Sequence, residues 1–214
     1  MDYETDIRTK EEVPLIVAFA GLRGSLSEPV YEFKNFLSAH FSCYFIFIKD
    51  RHQCWYHKGV HGLGNDIGST VEALRSKIKR IPHSQLITIG TSAGGYGAIL
   101  FGCLLDADRI YAFSPQTFLD RGNRQRYKDQ RYQGELNKMY KAKTRSPDYF
   151  DLKNLEPSGS IHLVYGKDDP VDNFHVERLR DWPNAEIKVV LGGHVVVKNM
   201  RESGELLEFL KGIK

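Results

Sequence analysis

Short apolar runs rich in β-branched residues alternate along the chain with longer stretches whose apolar positions recur at helical spacing. Val13-Pro14-Leu15-Ile16-Val17-Ala18-Phe19-Ala20-Gly21 is nearly continuous in apolar character. Such a run predicts a central parallel strand buried on both faces. It ends in the turn Gly21-Leu22-Arg23-Gly24, after which Ser25 or Ser27 can cap a helix reaching about Ala39. Ser42 to Ile48 is the next apolar strand, so the first unit is a strand–helix–strand crossover. Asn65 or Asp66 caps a helix to about Arg80, with Ile67, Val71, Leu74 and Ile78 on one face. Leu86 to Ile89 is a strand, and the helix after it is apolar almost all round, as a buried helix must be. Strands over Arg109–Phe113, Ser160–Gly166 and Ala185–Leu191 follow. Helices are expected around Phe174 to Arg180 and from the Gly192-Gly193-His194 turn to about Lys211. This alternation predicts one α/β domain spanning residues 1–214.

Two segments break the rhythm. His52 to Asn65 is rich in histidine, aromatics and glycine, and it follows a strand's C-terminal end, where open α/β sheets bind ligands. Trp55, Tyr56 and His57 therefore either line a substrate pocket or pack the loop down; they are carried forward as candidate substrate-binding residues. Thr117 to Gly159 is polar, basic and rich in tyrosine. Residues 117–157 are expected to form a helical cap or lid over the sheet's C-terminal edge, because long connections in compact domains are often functional.

Composition narrows the class. A chain of 214 residues, 41% hydrophobic and 27% charged, suits a soluble globular protein. Its longest apolar runs are far too short to span a bilayer, and the charged start shows no signal-peptide core, so a cytoplasmic location is expected. Cys43, Cys54 and Cys103 lack metal spacing and are odd in number, which reads as reduced, inert thiols. His52, His57 and His61 lack the accompanying carboxylate or cysteine pattern of a metal site, so no metal is expected. The net charge of +3 conceals an uneven distribution. Residues 121–145 hold nine basic and two acidic side chains, a local +7 that leaves −4 for the remainder. The segment is either a solvated helical face or an electrostatic lure for an anionic substrate. No nucleic-acid reading motif accompanies it.

The chemistry centres on Gly90-Thr91-Ser92-Ala93-Gly94. A strand leads into Gly-x-Ser-x-Gly and a small-residue helix leads out, the context of a nucleophile elbow. A dinucleotide fingerprint would need Gly-x-Gly-x-x-Gly, and a phosphate loop would need a lysine; neither is present. Serine is a poor nucleophile unless a base takes its proton and an acid orients that base. His194 fits best as the base, because it follows the last strand directly after a two-glycine turn. Lys167-Asp168-Asp169-Pro170-Val171-Asp172 supplies three candidate acids just past a strand end. Asp169 is preferred, Asp172 is its rival and Asp168 trails. The amides of Ala93 and Leu22 are the expected oxyanion donors.

The elbow, followed by Asp169 and then His194, resembles the α/β-hydrolase family from Val13 to the C-terminal helix. The Phe113-Ser114-Pro115-Gln116 turn and the Gly192-Gly193-His194 segment look similar to a bacterial branch of small α/β hydrolases. The resemblance implies a doubly wound, mostly parallel sheet with helices on both faces, a Ser-His-Asp triad and no cofactor. Ala20-Gly21 departs from the His-Gly of many members, and the family's first antiparallel hairpin is not visible, which implies a minimal sheet. The implied activity is hydrolysis of a carboxylic ester or thioester, on a small and possibly anionic acyl substrate. An acyltransferase or peptidase on the same triad, and a non-catalytic scaffold binding a ligand or partner, are the alternatives.

Overall fold

The computed structural model describes residues 1–7, 12–22 and 30–213. Seven strands form one sheet: β1 (Tyr3–Asp6), β2 (Leu15–Phe19), β3 (Tyr44–Ile48), β4 (Leu86–Thr91), β5 (Arg109–Phe113), β6 (Ser160–Gly166) and β7 (Ala185–Val190), in the spatial order β1-β3-β2-β4-β5-β6-β7. Every pairing is parallel except that of β1 with β3. Alternate residues of β2 divide between two cores. Leu15, Val17 and Phe19 pack with α2 (Ile67–Ile78) and α3 (Ala93–Leu104). Ile16 and Ala18 face α1 (Lys34–His40), α7 (Val196–Glu202) and α8 (Glu205–Leu210). A strand covered on both sides has no polar face, which is why its sequence shows no alternation.

The sequence expectations locate these elements well, with four differences. An antiparallel edge strand, β1, occupies the charged N-terminus, pairing Tyr3 with Ile48 and Asp6 with Phe45. Its short polar stretch, Tyr-Glu-Thr-Asp, carries little apolar signal, because only Tyr3 packs against the core while the rest joins the sheet as an edge. The first helix begins at Lys34, after Phe33 in a left-handed conformation (φ 63°). Ser25 and Ser27, the expected caps, lie outside the described residues. The helix expected around Phe174 starts earlier, as α6 (Pro170–Glu177). The last helix is split at Gly204, whose φ of 80° ends α7 and starts α8. By contrast, Asp66 does cap α2, with a reciprocal bond from Ser69.

Residues 117–157 hold α4 (Arg121–Arg126), α5 (Gln133–Lys141) and 3-10 turns at Pro147–Tyr149 and Leu152–Asn154. Leu136, Met139 and Leu152 are buried in the same apolar cluster as β2 and α3. The segment is thus sewn into the main core rather than perched above it.

Candidate active site

The elbow forms where β4 meets α3. Ser92 sits between them at φ 55° and ψ −120°, a conformation that a side chain rarely tolerates. Such strain costs about 1–3 kcal/mol and persists only where its surroundings impose it. Here the Ser92 amide donates to Phe113 O (2.9 Å), and its carbonyl accepts from Tyr96 N (3.0 Å). The flanking glycines are obligatory for close approach. A Cβ on Gly90 would lie 2.0 Å from Gly94 O, and one on Gly94 would lie 2.2 Å from Phe19 O. Ala93 is the first residue of α3, so its amide belongs to the helix's unpaired N-terminal set. Leu22 follows β2 and lines the same cleft as Ser92. The neighbouring Gly21 amide donates to Glu32 Oε2 (3.0 Å).

His194 reaches this serine from the loop after the edge strand β7. Its Nε2 is 3.0 Å from Ser92 Oγ, and its Nδ1 is 2.7 Å from Asp172 Oδ2. The preference for Asp169 is therefore corrected: the imidazole meets its rival. The three aspartates of the β6–α6 turn have separate tasks. Asp168 Oδ2 accepts from Gly192 N (3.2 Å) and so braces the loop that carries His194. Asp169 caps α6, accepting from the amides of Val171 and Asp172 (both 2.9 Å). Asp172, in the first turn of α6, is fully buried and aims at the ring. The Asp169-Pro170 pair marks which aspartate is the cap, because aspartate before a proline at the first helical position is a capping pattern.

Asp172 has a second partner. Arg131 Nη1 lies 2.7 Å from Asp172 Oδ1 and 3.9 Å from Asp169 Oδ2. Burial opposes the charge on Asp172, but His194 and Arg131 together outweigh it and hold the carboxyl below its ordinary range. Asp169, Asp172 and His194 also cluster closely enough to suggest cation ligands. The guanidinium already lies against both carboxylates, so the cluster has its cation. Sequence reasoning had no access to Arg131, because an arginine in a basic run looks like its neighbours. Several of those neighbours are likewise engaged internally. Arg124 bonds Asp129 (3.1 Å), while Arg121 and Arg126 lie over the rings of Tyr140 and Tyr127.

The candidate substrate-binding residues are placed elsewhere. Trp55 and Tyr56 are buried, with Trp55 Nε1 donating to Gln116 Oε1 (2.6 Å) and Tyr56 OH donating to Ala20 O (2.6 Å). His57 is enclosed between Tyr96 OH (3.0 Å) and the Ser146 amide (3.2 Å), and burial lowers its pKa to about 3. Their expected role is corrected: none lines the cleft beside Ser92, and all three pack the loop down. The cause is Asp50, a buried carboxylate that accepts from the amides of His52, Cys54 and Tyr56 and curls the chain inward. The cleft itself, about 690 Å³, is lined by residues that include Leu22, Glu32, Tyr132, Val195, Lys198 and Arg201. Tyr132 brings the insertion to the cleft wall. All three cysteines are free, and burial pushes their thiols up, to about 11 for Cys43 and about 12 for Cys54 and Cys103.

A mostly parallel, doubly covered sheet with a strained serine between its central strand and a buried helix has close structural counterparts. This is the α/β-hydrolase fold. The capsule O-acetyltransferase of Neisseria meningitidis serogroup A superposes with a TM-score of 0.68 at 21% identity, over 96% of this chain and 89% of that one. The fluorophosphonate-binding serine hydrolase F of Staphylococcus aureus gives 0.60 at 15% identity, over 96% and 86%. Acetyl xylan esterase 1 from a Thermoanaerobacterium species gives 0.56 at 16% identity, over 95% and 78%. No protein-family model matches the sequence, and no curated protein matches it. The sheet carries one antiparallel edge strand, β1, although no antiparallel hairpin is visible in the sequence. Among the described residues, no helix is long and apolar enough to cross a membrane.

Proposed function

We propose that the protein is a serine acyl hydrolase that cleaves a carboxylic ester or thioester through an acyl-enzyme on Ser92. One observation carries the reading: His194 contacts Ser92 Oγ at 3.0 Å and Asp172 at 2.7 Å, in the chain order Ser–Asp–His. Nε2 takes the hydroxyl proton as Oγ attacks the acyl carbon. Asp172 holds the proton on Nδ1 and stabilises the imidazolium. The amides of Ala93 and Leu22 receive the oxyanion. The imidazolium then protonates the departing alkoxide or thiolate. Water enters, gives a proton to the imidazole and attacks the acyl-enzyme, and collapse releases the acid and free serine. The substrate is a small molecule with an anionic group, attracted by Lys198 and Arg201 on the cleft wall rather than by the insertion's arginines. The free, weakly acidic thiols suit a reducing cytoplasm.

A second reading uses the same acyl-enzyme but ends on an acceptor hydroxyl instead of water. It is favoured by the likeness to an O-acetyltransferase at a TM-score of 0.68. Labelling with a fluorophosphonate probe tests both. The wild type should label, and Ser92→Ala and His194→Ala should lose the label, with ester turnover falling by about 10³-fold or more. A folded wild type that takes no label overturns the catalytic reading and favours a ligand-binding scaffold. Adding an alcohol during turnover then separates hydrolysis from transfer by the products formed.

A further inference from the structure

We propose that Arg131 is a positioning residue for this triad: its guanidinium fixes the carboxylate of Asp172 against His194. The inference rests on the reading of Ser92, His194 and Asp172 given above. Asp172 offers two oxygens and is closed to water. Oδ2 takes the imidazole, while Oδ1 takes Arg131 Nη1, each at 2.7 Å. A carboxylate held at both oxygens cannot rotate without breaking one charge-assisted bond. Were Arg131 absent, Oδ1 would be a buried, unpaired acceptor, and the group could turn either oxygen to the ring.

Arg131 is itself held in place from behind. Its Nε and its backbone amide both donate to Asp129 Oδ1, at 3.1 and 3.0 Å. Asp129 is almost fully buried and takes two further donors on Oδ2, Arg124 Nη1 (3.1 Å) and His175 Nε2 (3.2 Å). The direction of the last bond is fixed. His175 Nδ1 accepts from the Thr117 amide (2.9 Å), so the ring's proton sits on Nε2. Burial lowers the pKa of His175 to about 4, although Asp129 pulls it upward, so the ring is a neutral donor at pH 7. The result is a continuous line from Thr117 through His175, Asp129 and Arg131 to Asp172, buried except at Arg131, which is partly exposed. Fixed donors of this kind orient reacting groups at no reorganisation cost.

Asp172 contacts the ring directly, Arg131 stands behind it, and Asp169 flanks the guanidinium at 3.9 Å. Lys34, Lys198, Arg201 and Glu32 line the same cleft as the ring, and Lys34 Nζ is paired with Glu4 (2.6 Å).

The test is kcat and KM measured separately for a simple ester in the wild type, Arg131→Gln and Arg131→Lys, with melting temperatures measured alongside. Arg131→Gln should lower kcat/KM by about 10- to 100-fold, mainly through kcat, as expected for a misplaced catalytic group. KM should stay close to the wild-type value. Arg131→Lys keeps the charge but cannot hold both carboxylates, so it should lose less, about tenfold in kcat. A folded Arg131→Gln with wild-type kcat overturns the inference. If Arg131→Gln does not fold, wild-type kcat/KM in Arg131→Lys overturns it. Fluorophosphonate labelling of Ser92 in the wild type is independent of these outcomes. A wild type that neither labels nor turns over would defeat the triad reading first, and this inference with it.

Discussion

His57 and His194 both follow a sheet strand at its C-terminal end, both stand near glycines, and each has both ring nitrogens in contact with the protein. They end in different surroundings. His57 is buried between a phenol and a backbone amide, with no carboxylate bonded to it among the described residues, and burial lowers its pKa to about 3. His194 is about a quarter exposed, with a buried carboxylate on one nitrogen and the serine on the other. A ring that cannot gain a proton near neutrality cannot relay one. A base therefore needs a partner that tolerates the protonated form, and strand-end position alone does not provide it.

The largest effect expected from breaking this contrast is on the carboxylate. Asp172→Asn should lower kcat by about 10³- to 10⁴-fold while the protein stays folded, because the wrong tautomer faces the serine. Asp169→Ala should instead cost about 1 kcal/mol of stability as a lost helix cap, with catalysis nearly unchanged. Steady-state kinetics and denaturant titration of the pair check this, and the opposite assignment would restore Asp169 as the acid.

A pH series sharpens the comparison further. His57 and His175 have folded pKa values of about 3 and about 4, below the unfolded value near 6.5. Unfolding at mildly acid pH therefore takes up protons. The stability these neutral rings contribute is complete above about pH 6.5, and it is lost progressively as pH falls from there toward 4 and then 3. Asp172 and Asp129 act lower, since their folded carboxyls titrate below the ordinary value. Thermal melts from pH 7 to 4 should show a steady loss of stability, and His57→Gln should flatten part of it. A melt independent of pH over that range would contradict the buried, neutral assignment. The smallest effect is expected for Trp55→Phe, which removes the bond to Gln116. It should cost about 1 kcal/mol and leave KM unchanged. A raised KM would return Trp55 to the substrate pocket.

These regions also explain what the sequence made legible. The apolar runs of β2 to β5 and the glycines around Ser92 report backbone burial and close approach, which are local consequences of residue type. His194 was found because two glycines after a strand mark a turn at the reactive edge. The choice between Asp169 and Asp172 depends on where α6 begins, and a shift of three residues decides which carboxylate turns inward. The fate of Trp55, Tyr56 and His57 depends on Asp50 and on left-handed backbone at Gln53, Trp55 and Tyr56, which a hydrophobic pattern does not encode. Arg131 finds Asp172 across 41 positions of sequence, a pairing that only the folded chain makes.

The anchoring of the insertion also bears on how the chain can be re-engineered. Exchanging residues 117–157 for the corresponding segment of another protein, to change substrate range, would look like swapping a removable cover. Here it would remove Asp129 and Arg131, leaving His175 Nε2 without its carboxylate and Asp172 Oδ1 without its guanidinium, both buried. A viable chimera has to carry Thr117, Asp129, Arg131, Asp172 and His175 as one inherited set, so the junctions belong within β5 and after α6 rather than at the visible ends of the segment.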